Sequence, residues 1–365
     1  MKQKAVTVKD IANYLQISLS TVNKALTGKP GISEARRQEV LEVAHRLGYQ
    51  VNFAAQALSR RPMHIGAVFH TVFQSFWQEA RLGLEEELKA LQQWNVTYEI
   101  CDVGNRLESE QALERLLDGR ADAVILCTPT LLTGRDIFEK LNRSGIPVFL
   151  LGGGCPPIQA RCTIGVDSGI TGNLAADLIT LALHSRDKLA VFTASKDNSI
   201  HTKKVDAFAS AVHERGFTLA GIYETQDEDE IAAACVRKLY RDHPDVRGIY
   251  ITSASGKAVF DYVRGLPQDR RPIIVATDIY NELRAAVADG IVQASIYQNQ
   301  ELMGRLAAKT AYDYLLSTNS YQTSALSQPP THLNVIPKVY LRSNIAADTR
   351  EYLAYHEPCA DPAQR

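Results

Sequence analysis

The side chains with the clearest capacity for chemistry lie close together near the start of the chain. Ser18-Leu19-Ser20-Thr21-Val22-Asn23-Lys24 reads as one short helix that keeps Val22 inward. Its outward face carries Leu19, Ser20, Asn23 and Lys24. Short hydroxyls, an amide and an ammonium on one helical face can reach base edges and phosphates in a major groove. Constellations for catalysis are missing. Gly152-Gly153-Gly154 follows an apolar run but lacks G-x-G-x-x-G spacing and runs into Cys155-Pro156-Pro157. Ser253–Lys257 (SASGK) only superficially resembles a phosphate-binding loop, and no G-x-S-x-G elbow is present. The nine histidines have no H-x-x-x-H spacing, and the six cysteines form no C-x-x-C pair. Most cysteines sit in apolar runs such as AVILC, where a free thiol behaves as a small hydrophobe. Neither a disulfide framework nor a zinc site is expected. The acids Asp227–Glu230 read as a helix start, where they favour the dipole. The expectation is a binding protein with no cofactor and no metal, not an enzyme.

The candidate DNA-reading face needs a scaffold, and residues 6–48 supply three helical patterns. The first is Val8–Leu15, with Val8, Ile11, Ala12 and Leu15 on one side and Thr7 able to cap it. The second is Leu19–Leu26, capped by Ser18. Thr27–Gly31 is a loop, Ser33 caps the third helix, and Gly48 suits its end. Two short helices joined by a tight turn form a helix-turn-helix. Residues 49–62 read as a linker that folds only on a partner, with Pro62 as its stop.

From Ile65 the pattern alternates strand and helix. One strand series is 65–70, 96–103, 123–127 and 148–151; a second is 189–193, 217–223, 248–252 and 273–277. Amphipathic stretches at 77–91, 108–117, 172–183 and 201–215 separate them. Near-continuous apolar strands alternating with helices mean parallel sheets. Two such series predict two similar α/β lobes, with a ligand crevice at the carboxyl ends of the strands.

The chain has 365 residues, 45% hydrophobic and 22% charged, which is globular composition with room for two or three domains. No apolar run is long enough to cross a membrane, and the first residues lack a secretory pattern, so a cytoplasmic location is expected. The formal net charge of −1 conceals an asymmetry. Residues 1–61 hold ten Lys/Arg against four Asp/Glu, or +6, which leaves −7 on the remainder. A basic head on an acidic body is what a nucleic-acid-binding arm would show.

Together these features resemble the lactose-repressor (LacI/GalR) family of bacterial transcription regulators. The resemblance is strongest in TVKDIANYLQISLSTVNKALTGKPGISEARRQEVLEVAHRLGYQVNFAAQAL. It contains a capped first helix, S-x-S-T-V, a V/I-S-x-x-x-R third helix, L-G-Y-x-x-N and an A-x-x-L hinge. IGAVFHTVFQSFWQEARLGLEEELKAL and ASIYQNQELMGRLAAKTA resemble the sugar-binding module shared with periplasmic sugar receptors. The resemblance implies a helix-turn-helix domain at 1–48, a hinge at 49–62, a two-lobed ligand-binding and dimerisation domain at 63–345 and a polar tail at 346–365. It implies a homodimer that binds a double-stranded DNA operator under control of a small sugar-type effector, usually as a repressor. By position, Leu19, Ser20 and Lys24 would read bases. Thr21, Asn23, Thr27 and Ser33 would hold phosphates, with Thr7, Ser18 and Asn52 adding to the DNA face. Leu58 would wedge into a central minor-groove step. In the effector module Gln74, Phe76 and Trp77 would flank the sugar, and Lys204, Ser253, Asp278 and Gln298 would bind its hydroxyls. Asp167 matches an acid of structural role near the lobe crossover. The chain departs from the pattern at Gln16, where a glycine is usual and a left-handed turn would be strained, and at Lys204, where an arginine is usual. Two other readings stay open: a sugar-binding protein without DNA function, and a nucleoside- or purine-responsive regulator of the same family.

Overall fold

The computed structural model of the chain describes residues 6–26, 30–49, 61–70, 74–127, 135–153, 157–197, 199–254, 256–319 and 330–347. Three helices form the head: α1 (Val8–Leu15), α2 (Leu19–Leu26) and α3 (Glu34–Arg46). Each start is capped as its sequence requires. Thr7 and Asp10 close a reciprocal box, with the Thr7 amide on Asp10 Oδ2 at 2.8 Å and the Asp10 amide on Thr7 Oγ1 at 3.4 Å. Ser18 Oγ accepts the Thr21 amide at 3.1 Å, and Ser33 Oγ accepts that of Arg36 at 3.3 Å. Ile11, Val22 and Val40, all fully buried, form the centre of the head's own core with Ala12, Ala25, Val43 and Ala44. Gln16 ends α1 in the left-handed region, φ 53° and ψ 42°. Gly48 follows α3 at φ +70°, where glycine has no steric cost.

The body has two six-stranded sheets. The first contains β1 (Met63–His70), β2 (Val96–Val103), β3 (Ala123–Cys127), β4 (Val148–Leu151), β5 (Cys162–Val166) and β11 (His332–Val335). Its order is β11-β5-β4-β3-β1-β2, and every pairing is parallel. The second contains β6 (Lys188–Thr193), β7 (Thr218–Glu224), β8 (Val246–Ile251), β9 (Ile273–Thr277), β10 (Ala294–Tyr297) and β12 (Lys338–Tyr340), in the order β12-β10-β9-β8-β6-β7. Here β12 runs antiparallel to β10 and the other pairings are parallel, so both lobes are built on the parallel sheets expected from the sequence. The strands β5, β10, β11 and β12 lie outside the two series expected from the sequence. The last two are short edge strands with little apolar content, so periodicity could not reveal them.

Helices cover both faces of each sheet: α4 (Gln74–Leu91), α5 (Arg106–Asp118), α6 (Arg135–Ser144) and α12 (Gln300–Asn319) on the first, and α7 (Ser168–Thr180), α8 (Ser199–Glu214), α9 (Asp229–Asp242), α10 (Lys257–Arg264), α11 (Asn281–Ala288) and α13 (Arg342–Ile345) on the second. Strand pleating splits each core in two. Ile65, Ala67 and Phe69 of β1 face α4 and α12, while Val68 faces α5 and α6. Helices α4 and α12 touch backbone to backbone. A Cβ at Gly304 would lie 1.8 Å from the Ala80 carbonyl oxygen. Chain order therefore crosses between lobes three times: after β5, between β10 and α12, and between β11 and β12. All three crossings lie beside the carboxyl ends of the inner strands, which is where a crevice forms.

One residue counted with the basic head belongs to the body. Arg61 donates to Asp122 Oδ1 at 2.6 Å, and Asp122 Oδ2 accepts the His64 amide at 2.8 Å. This pair anchors the entry to β1, so the charge of Arg61 is spent there.

Candidate functional site

In the head, the outward face of α2 is formed as the spacing predicts. Leu19 is 48% exposed, and Ser20 and Asn23 are exposed beside it. Thr21 and Lys24 are half-buried. The Lys24 ammonium lies over Gly31, whose Cα would carry a Cβ only 3.2 Å from Nζ. Thr7, Ser18 and Ser33 use their side-chain oxygens as caps, and the Ser18 and Thr21 hydroxyls pair at 2.8 Å. Their first role is to fix helix ends; such ends also present amides suited to phosphate. Arg37 of the S-x-x-x-R motif has a role the spacing did not disclose. Its guanidinium donates to the Lys24 and Ala25 carbonyls at 3.3 and 3.4 Å, locking the end of α2 onto α3. Thr27, Asn52 and Leu58 lie outside the described residues.

The body's polar cluster gathers where β6, β8 and β9 end. Three threonines mark those ends: Thr193, Thr252 and Thr277, all fully buried. Thr252 Oγ1 donates to Thr193 Oγ1 at 2.8 Å, and Tyr250 Oη pairs with Thr277 Oγ1 at 3.3 Å. Lys204, on α8, is 2% exposed and donates to the Thr252 carbonyl at 3.4 Å. Burial lowers its affinity for a proton, while Asp278 and Asp227 act to restore it. His201, one turn earlier, pairs with Thr252 Oγ1 at 3.3 Å. Burial and the neighbouring ammonium push it down to about 3, so its imidazole is neutral in water near pH 7.

Asp278 adopts φ +69°, a conformation that non-glycine residues hold only under constraint. Its amide donates to the Ile296 carbonyl at 2.9 Å, and the Ser295 hydroxyl holds its own carbonyl. Oδ1 accepts two amides, from Gln298 at 2.8 Å and Gln300 at 2.9 Å. Burial pushes the carboxyl up; Lys204 and the two amides pull it back. Gln298 and Ser253 are buried, and Gln300 Oε1 is a buried acceptor that no described donor meets. Thus the structure brings Lys204, Ser253, Asp278 and Gln298 to one end of the second sheet. It adds His201, Thr193, Thr252 and Gln300, which the sequence reading passed over. Strand-end threonines recurring three times were the signal for two of them.

On the facing lobe, Trp77 is only 9% exposed and belongs to the first lobe's core. The edge of its six-membered ring points at Gly152, at φ +102°; a Cβ there would be 2.1 Å from Cη2. Phe76 is half-buried and packs edge-on to Trp77, centroids 4.7 Å apart at 83°. Gly153 faces across to Ile200 on α8, the ideal Cβ lying 3.7 Å from Cδ1. The side chain of Gln74 lies outside the described residues. Asp167 caps α7, its Oδ1 accepting the Gly169 amide at 2.8 Å, in keeping with the structural role expected of it.

The comparisons agree with this division. A family model described as periplasmic binding protein domain matches residues 65–319, and one described as bacterial regulatory proteins, lacI family, matches residues 7–52. The chain is 28% identical over 215 residues to the HTH-type transcriptional regulator pepR1 of Lactobacillus delbrueckii subsp. lactis, covering 58% of this chain and 62% of that protein. It is 24% identical over 221 residues to catabolite control protein A of Priestia megaterium, covering 60% and 64%. The chain thus spans just over three fifths of the length of these curated relatives. Among solved structures, the glucose-galactose binding protein GanP of Geobacillus stearothermophilus aligns with TM-score 0.64 and 21% identity over 78% of this chain and 99% of that one. The arabinose binding protein AraP of the same organism aligns with TM-score 0.67 and 19% identity over 79% and 99%. At such identities the likeness is one of fold. The chain belongs to the periplasmic-binding-protein domain family and, ahead of that domain, carries the head of the lacI family of bacterial regulatory proteins.

Proposed function

We propose that the protein is a sequence-specific DNA-binding transcriptional regulator, acting as a repressor, whose operator affinity is set by a small sugar or sugar derivative. The observation that carries this reading is the union in one chain of an outward α2 face of Leu19, Ser20 and Asn23 with a two-lobed body whose strand ends gather hydrogen-bonding groups. The relatives pepR1 and catabolite control protein A bear the names of regulators, and the structural neighbours GanP and AraP bear the names of sugar-binding proteins. Leu19, Ser20 and Lys24 read base edges, while Thr21, Asn23, Thr27 and Ser33, with Thr7, Ser18 and Asn52, hold the backbone. Leu58 of the 49–62 hinge wedges into the minor groove. Two heads of a cytoplasmic homodimer meet a pseudo-palindromic site.

In the body, Phe76 offers a ring face to the sugar and Trp77 supports it from below, beside Gln74. Asp278, Gln298, Ser253 and Lys204 take the hydroxyls. The effector shifts operator affinity only if it binds the two lobe arrangements unequally.

The test is selection of bound duplexes from a random pool by the full-length protein, followed by anisotropy titration with and without single sugars. A two-fold symmetric consensus whose affinity one sugar changes at least fivefold supports the reading. Binding to no duplex at low salt removes the DNA function, and affinity indifferent to every sugar and sugar phosphate removes the effector class.

A further inference from the structure

The crossing between β10 and α12 is held from both sides. Tyr297, the last residue of β10 in the second lobe, donates its hydroxyl to Glu79 on α4 of the first lobe. Gln300, the first residue of α12, donates its amide to Asp278 Oδ1 of the second lobe at 2.9 Å. Helix α12 itself packs in the first lobe's core through Ala307, Ala308 and Ala311. Two side chains three residues apart therefore reach across the same junction in opposite directions. Between them Asn299 is buried at φ +59°, so the crossing backbone is constrained as well. The Tyr297 ring is fully buried and stands edge-on to Tyr340, centroids 5.9 Å apart at 74°. Tyr340 ends β12, just beyond the third crossing, so Tyr297 links two of the three connections.

We propose that the Tyr297–Glu79 and Gln300–Asp278 hydrogen bonds form a reciprocal tether that sets the angle between the two lobes, with Tyr297 and Gln300 as its positioning residues. A lobe rotation that opens the crevice pulls α4 away from β10 and α12 away from β9 together, so it must break both bonds. Each bond joins a neutral donor to a carboxylate, the stronger kind of hydrogen bond. Asp278, the acid of the candidate effector site, is one of the tether's four anchors.

The tether is tested on full-length protein by the distance between spin labels on p-acetylphenylalanine at positions 107 and 181. Leu107 is 63% exposed on the first lobe, and Leu181 is 83% exposed on the second. Labelled chains are diluted with unlabelled protein, and no ligand is added. Tyr297→Phe, Glu79→Leu and Gln300→Leu should each move the ratio of open to closed populations at least tenfold, about 1.4 kcal/mol. Glu79→Gln keeps an acceptor for the tyrosine hydroxyl but loses the charge, so it should move the distribution clearly less than Glu79→Leu, which a merely space-filling role for Glu79 does not require. An unchanged distribution in Tyr297→Phe and Glu79→Leu overturns the proposal. So does a response confined to one of the two bonds, or a Glu79→Gln variant that behaves like Glu79→Leu.

Discussion

Replacing Lys204 by Met should destabilise the body in a pH-dependent manner. The lysine is almost wholly enclosed, and its ammonium opposes the burial that pushes Asp278 up. Methionine fills most of the same volume, so the loss is chiefly electrostatic. Removing one partner of a buried charge pair in contact costs roughly 3–5 kcal/mol because the other charge stays buried. Lys204 and Asp278 act on each other at longer range than an ion pair, Asp278 keeps two amide donors, and methionine relieves the burial of the ammonium, so the loss falls below that range, to about 2 kcal/mol at pH 8. At about 2–4 °C per kcal/mol for a body of this size, the melting point falls by roughly 4–8 °C. The pH sign follows from Asp278. Its folded-state pKa is raised, more so without Lys204, above an unfolded value near 3.9. Its contribution is thus greatest below that unfolded value and is lost as pH rises through the folded value. The variant should therefore trail the parent by only about 1 kcal/mol at pH 5 and by the full amount at pH 8. His201 is pushed down to about 3 in the folded state but titrates near 6.5 when unfolded, so it lowers the stability of both proteins alike as pH falls below 6.5 and drops out of their difference. Urea unfolding at pH 5, 6, 7 and 8 measures the difference. Equal losses at both ends would refute the reasoning, as would a Lys204→Met/Asp278→Asn double variant no more stable than Lys204→Met.

Gln16→Gly should stabilise the head by about 0.5–1 kcal/mol, because glycine adopts φ 53° without the Cβ clash; slower amide exchange at Ile11 and Val22 checks it, and unchanged exchange counts against strain at Gln16. Lys24→Ala should weaken duplex binding and flatten the dependence of log affinity on log salt by about 1 per head; an unchanged slope removes Lys24 from the phosphate contacts. Leu58→Ala should weaken operator binding at least tenfold while leaving sugar affinity intact, and equal operator affinity would remove the wedge. Gly152→Ala should cost the body about 2–4 kcal/mol, combining a clash with Trp77 and a strained φ; Trp77 is one of two tryptophans, so its fluorescence should shift with the loss of stability.

The helix bounds of the head were legible because each signal acts locally. Thr7, Ser18 and Ser33 cap amides three residues ahead, and Gly48 ends α3, all within one turn. The inner strands β1, β3, β4, β6, β8 and β9 were legible for a related reason: AVILC at 123–127 is apolar throughout because it is buried on both faces. The strands β5, β10, β11 and β12 are only three to five residues long and mix apolar with small or polar residues, so they were missed, whereas the longer edge strands β2 and β7 were found. The residues of the candidate site were legible only in part. Asp278 and Gln298 could be found by resemblance, but Gln300 and His201 could not. Their roles depend on which strand ends the sheet order places side by side.

The sequence by itself determined the three helices of the head, the alternation of strand and helix that makes the body α/β, and the opposed charges of head and body, since propensity, capping and composition are properties of short segments. Only the tertiary structure decided that Trp77 lies against Gly152, that Arg61 belongs to Asp122, and that Tyr297 and Gln300 reach opposite lobes. Those are contacts between residues 22 to 218 positions apart. They exist because the sheet order and the chain crossings bring distant segments side by side, and no local pattern in the sequence records that meeting.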